Sequence, residues 1–150
     1  MRSRLARLLR KSPADRRLHA RAAAVHLLAA IAVRVLPFGR VQQLLAALGA
    51  PARGLAPVDA GRIVQAVHTV SASLPGGNCL TDALTAQCLL ARHQRDTTLC
   101  FGVARVAADG RPFDAHAWLE DRGTGIIGGR SIVYDPLRHP SRCVPSPSSR

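Results

Sequence analysis

The hydrophobic period of this chain changes once, at residues 94–96, and that change restricts the folds open to it. Before it, apolar residues recur at helical spacing. Ser12 and Pro13 read as an N-cap followed by proline at the first helical position, opening a helix over 14–36 that Pro37 ends. Val41, Leu44, Leu45 and Leu48 follow the i, i+3, i+4, i+7 pattern, with Gly49 as a stop. Pro51, Gly54 and Pro57 mark a loop. Ile63, Val67 and Val70 place a third helix over 58–73, broken by Leu74, Pro75, Gly76 and Gly77. Asn78 then caps a fourth helix from Cys79 to about His93. Beyond the change, 97–106 is rich in β-formers, Asp109 and Gly110 signal a hairpin, and 112–120 is the returning strand. Arg122 and Gly123 turn the chain into a third strand over 124–127, and 131–134 extends the sheet. Helices first and an antiparallel meander second predict an α+β fold, with the sheet packed on helices of the first half.

At 150 residues this is one domain's worth of chain. Aromatic residues make up only 3%, so its core must be built from Leu, Ala, Val and Ile. The net charge of +12 points to an acidic peptide or protein, a membrane surface or nucleic acid. No zinc-finger spacing, aromatic RNA-binding signature or helix-turn-helix supports the last, so no nucleic-acid partner is expected. Within the first helix the apolar run 22–33 is interrupted by His26 and followed by Arg34, short of the ~20 residues needed to cross a bilayer. Arg16, Arg17, Arg21 and Arg34 beside Leu and Val would permit peripheral contact with a membrane or partner, but packing onto the core is the expected role. The cysteines Cys79, Cys88, Cys100 and Cys143 form no C-x-x-C pair, so no metal site or redox motif is expected. Without a convincing secretory signal, the chain is expected in the cytosol with reduced thiols. Residues 1–57 read as a helical N-terminal region, 58–135 as a core, and 136–150, rich in Pro, Ser and Arg, as a disordered tail.

Two stretches carry chemistry. Cys79 stands at a helix start, where unpaired N–H groups and the helix dipole favour a thiolate and can hold an oxyanion. His116 stands mid-strand, where alternation sets Asp114, His116, Trp118 and Glu120 on one face and Ala115, Ala117 and Leu119 on the other. If the small apolar face meets the helices, the helix of Cys79 must still cover the His116 side near the sheet edge. Gly76 and Gly77 then make a bare turn that a peptide could approach. Each residue also has a plainer reading: a helical Cys beside Leu and Ala is a small core residue, and a strand His is a surface or core residue. Cys88 and Cys100 keep the core reading.

The set Cys79-Leu80, Ala83-Leu84, Leu89-Leu90, Phe101-Gly102-Val103 and His116-Ala117-Trp118-Leu119-Glu120 resembles the lasso peptide leader peptidases, B-type maturation proteins with a transglutaminase-like, papain-related cysteine protease core. The resemblance implies a helical N-terminal part on such a core with a small antiparallel sheet. It implies cleavage of a ribosomally made precursor between leader and core, with Cys79 as nucleophile and His116 as base, with no cofactor. Asn78 and Trp118 are candidate substrate contacts. Implied partners are the lasso precursor peptide, a separate leader-binding recognition-element protein and an ATP-dependent macrolactam synthetase. Residues 1–70 show no strand run, which matches the form lacking a fused recognition element. One departure stands out: the family's acidic third member would fall at Gly128. Asp135 is the candidate substitute; Glu120, Asp114, a backbone carbonyl or a water are the alternatives for orienting His116. Two other functions stay open, an acyl transferase of transglutaminase type and a catalytically silent scaffold that docks the precursor or synthetase.

Overall fold

A computed structural model describes residues 12–52, 54, 58–74, 76–104, 114–128, 135–136 and 144–145. Four helices come first: α1 (Pro13–Val35), α2 (Phe38–Leu48), α3 (Ala60–Ser71) and α4 (Cys79–Arg92). They are followed by β1 (Thr98–Ala104), β2 (Asp114–Asp121), β3 (Thr124–Ile127) and two short strands, β4 (Asp135–Pro136) and β5 (Val144–Pro145). The α+β arrangement is the expected one. The Asp109–Gly110 hairpin, the 131–134 strand, residues 1–11 and Cys143 lie outside the described residues.

The helix ends follow local chemistry. Ser12 Oγ accepts the Asp15 N–H at 3.1 Å and Pro13 opens α1. At the other end, Leu36 is extended because it precedes Pro37. The helix α4 is the centre of the molecule. Apart from Asp82, every residue from Thr81 to Ala91 is buried, and the helix packs on α1, α2 and α3 as well as on the sheet. Its alanines let neighbouring helices come close, which suits a chain so poor in aromatics. One buried cluster joins Leu18, Ala22 and Ala29 of α1 to Val41, Leu45, Ile63 and Val67, to Leu84 and Leu90, and to Leu99, Leu119 and Ile127 of the sheet. Where α1 meets α4, His26 is fully buried with its Nδ1 3.6 Å from Asp82 Oδ1, and neither ring nitrogen has a hydrogen bond.

The sheet order is β3-β2-β1-β4, with β5 also on β1, and every pairing is antiparallel. Arg122 (φ 51°) and Gly123 (φ 80°) join β2 to β3, the two left-handed residues that a tight hairpin requires. Register fixes the faces. Leu99 pairs with Leu119, and both lie in the helix-facing core. The alternate rows, Cys100 with Trp118 and Gly102 with His116, therefore fall on the opposite face. Asp135–Pro136 and Val144–Pro145 pair with β1 in a stretch whose composition alone predicts little order.

Candidate active site

The break after α3 and the cap of α4 set Cys79. Asn78 is extended, and its side-chain oxygen accepts the Thr81 N–H while Thr81 Oγ1 accepts the Asn78 N–H, both at 2.9 Å. This reciprocal cap uses the N–H groups of residues 78 and 81. The N–H groups of Cys79 and Leu80 are left as helix-start donors beside the thiol. Asp82 in the same turn complements the helix dipole. Packing favours glycine at 77, and the left-handed backbone (φ 84°) requires it at 76. A Cβ on Gly77 would come within 2.5 Å of Ser71 Oγ, and one on Gly76 within 3.3 Å of the Arg34 guanidinium. The turn thus runs closely over α3 and α1, and that fixes the direction from which α4 starts.

The three cysteines among the described residues differ in setting. Cys79 is half-buried, whereas Cys88 and Cys100 are buried, as expected of core residues. Burial pushes the Cys88 thiol up to about 11, against a smaller opposing pull from Arg92. Its thiolate is therefore scarce near neutral pH. Brief treatment of the folded protein with iodoacetamide at pH 8 should alkylate Cys79 and spare Cys88, as read by peptide mass mapping. Equal labelling of both would mean that α4 opens on that timescale.

His116 is half-buried near the start of β2. Its Nε2 is hydrogen-bonded to the Gly128 carbonyl oxygen, just past β3. A carbonyl can only accept, so Nε2 carries the proton and the neutral ring has its lone pair on Nδ1. The residue twelve positions after His116 thus orients the histidine through its backbone. Gly128 has φ 84°, and a Cβ there would meet the Ala117 carbonyl oxygen at 2.7 Å and Trp118 Cα at 3.0 Å. A side chain at 128 is incompatible with this approach of carbonyl to ring.

The same strand face holds the imidazole from its flank. The His116 and Trp118 rings stack with centroids 6.3 Å apart and planes 17° apart. Trp118 Nε1 donates to Glu120 Oε1 at 2.8 Å. Glu120 is therefore engaged with the indole. Trp118 is 4% exposed and acts as a wall behind His116, while Asn78 spends its side-chain oxygen on the cap. Alternation made the shared face of His116, Trp118 and Glu120 legible; neither the ladder they form nor the Gly128 carbonyl was read from it. Asp135 falls in the row of Val103 and Ala115, with β1 between its strand and that of His116. That is about 10 Å of sheet.

The helix opened by Cys79 packs on the strand carrying His116, but on the face of Leu119. Register sets His116 on the opposite face, so the expected covering of the His116 side by that helix is not seen among the described residues. Among the described residues no hydrogen bond joins the two side chains. No group of three or more His, Cys, Asp or Glu suited to a metal occurs among those residues either.

A cysteine at the start of a helix that packs on the strand of a histidine, in an α+β fold, is an arrangement compatible with thiol acyl-transfer chemistry. The family model for the transglutaminase-like superfamily matches residues 23–138, and the chain belongs to that superfamily, which includes cysteine proteases and acyl transferases. The match begins inside α1, so helices of the N-terminal region share in the superfamily fold. No curated protein and no solved structure matches the chain.

Proposed function

We propose that the protein is a cysteine peptidase that removes the leader from a ribosomally made lasso peptide precursor. The observation that carries this reading is Cys79 at the start of α4 in a transglutaminase-like fold whose β2 carries His116, held at Nε2 by the Gly128 carbonyl. In the proposed mechanism Cys79 Sγ loses its proton to His116 Nδ1 and attacks the scissile carbonyl. The N–H groups of Cys79 and Leu80 receive the oxyanion, and His116 returns the proton to the leaving amine. Water then attacks the thioester, with His116 again as base, and frees the leader carboxylate. The thiol–imidazole hydrogen bond forms when substrate is seated, as catalytic bonds in unliganded enzymes commonly tighten only then.

The test is incubation of the purified protein with a lasso precursor and the separate recognition-element protein, read by mass spectrometry. A free leader carboxylate is expected. A leader joined to an added amine would instead identify the acyl transferase, and no covalent product under any pairing would leave the scaffold reading. Slow cleavage by the protein alone, rising about 10²–10⁴-fold with the recognition protein, is expected from tethering of the precursor. A fast rate without that partner, unchanged on adding it, would show that this chain binds the leader itself.

A further inference from the structure

The helix α1 has two apolar faces. The inner one, with Leu18, Ala22, His26 and Ala29, is buried against the rest of the fold, as expected. The outer one is not covered. Ala20, Ala24, Leu27, Ile31 and Val35 recur three and four residues apart and are exposed, with Leu27 at 41%, Ile31 at 59% and Val35 at 68%. The stripe runs along a helix of 23 residues, about 35 Å long. Within four helix residues of it stand Arg16, Arg17 and Arg21, all exposed and lying to either side of the stripe. The helix has one acidic residue, Asp15, and Arg62 of α3 occupies it; that guanidinium and the Ser12 hydroxyl hold its carboxyl below the ordinary carboxylate range. The charge is concentrated on this part of the chain. Ten of the 21 basic residues fall within the first 40 positions, including Arg2, Arg4, Arg7, Arg10 and Lys11 ahead of the helix.

We propose that the outer face of α1 docks the protein in the plane of an anionic lipid surface. Leu27, Ile31 and Val35 would enter the boundary between headgroups and acyl chains, while the flanking arginines stay at headgroup level with their stems along the apolar edge. Lipid suits this face better than a protein partner does. The stripe is convex, aliphatic throughout and belongs to a single helix, whereas protein interfaces draw their affinity from aromatic and arginine anchors seated in pockets. The net positive charge complements an anionic surface, where each nearby arginine is worth about a five-fold change in partition. The inner face stays packed in the core, so α1 would lie on the membrane and not cross it.

The experiment is sedimentation of the full chain with vesicles of phosphatidylcholine alone, and with about one phosphatidylglycerol in three. The protein should sediment with the anionic vesicles and only weakly with the neutral ones. The pair Ile31→Ser with Val35→Ser should lower partition at least about ten-fold. Arg17→Glu with Arg21→Glu should lower it comparably, and both variants should keep the helical circular-dichroism signal because all four side chains are exposed. Absence of binding to anionic vesicles would overturn the proposal. So would unchanged binding of the serine variant, which would reduce the interaction to bulk charge, or binding to polyglutamate that matches the vesicles. A dimer of the unaltered protein without lipid, abolished by the serine pair, would overturn it in favour of self-association. None of these readouts depends on peptide cleavage.

Discussion

Gly128→Asp, the substitution that would restore an acidic residue at the family's position, should damage the protein. The introduced Cβ would stand 2.7 Å from the Ala117 carbonyl oxygen, a backbone atom that cannot swing away, on a residue whose φ is 84°. Left-handed backbone costs a non-glycine residue about 1–2 kcal/mol, and relieving the contact adds to that. A total loss of about 2–4 kcal/mol, with Tm lower by roughly 6–12 °C, is the expectation. Cleavage should fall as well, because displacing residue 128 removes the carbonyl that fixes the His116 tautomer. Gly128→Ala separates the two effects: it brings the same Cβ without a carboxylate and should show most of the Tm loss. The measurements are thermal melts and precursor cleavage rates. A Gly128→Asp protein that melts normally and cleaves faster would mean that a carboxylate, and not the carbonyl, belongs beside His116.

Cys79→Ala should abolish leader removal while leaving the fold intact, the largest functional effect expected of any single change. Loss of a nucleophile that works jointly with a base costs at least about 10³-fold in rate. The stability cost should be small, since Cys79 is half-buried at the first position of α4 and Ala is a good helix former. Cys88→Ala is the matched control. It lies in the same helix at 3% exposure, so it should lose about 1 kcal/mol of stability and keep its cleavage rate. Undiminished cleavage by Cys79→Ala, read by mass spectrometry, would end the cysteine-peptidase reading.

Much of this architecture can be read from local signals. Caps and breakers at Ser12, Pro37, Gly49 and Asn78 bound three of the helices to within a few residues, since such signals act through neighbouring backbone groups. The change of period located the sheet, and Arg122 with Gly123 located its hairpin. Strand order was less accessible. A segment following β3 would be expected beside β3, yet β4 pairs on the far edge of β1, and this sets Asp135 a strand away from that of His116. A backbone carbonyl was among the expected ways to orient His116, but that it comes from Gly128 was not legible, because this depends on how closely two strands approach. The packing around Gly76 and Gly77 escaped for a related cause: their close neighbours, Arg34 and Ser71, come from other helices. The outer stripe of α1 was hidden in plain composition, since an apolar helix with two such faces gives one undivided hydrophobic run.

The short strands β4 and β5 have a consequence for solubility. The strand β1 carries Leu99, Cys100, Phe101 and Val103, and its second edge would be a template for another chain if it were bare. Pairing there with Asp135–Pro136 and Val144–Pro145 occupies parts of that edge. Each covering strand ends in proline, which has no N–H to offer to a further strand. The proline in each covering strand makes that side of the sheet a poorer template for a further strand.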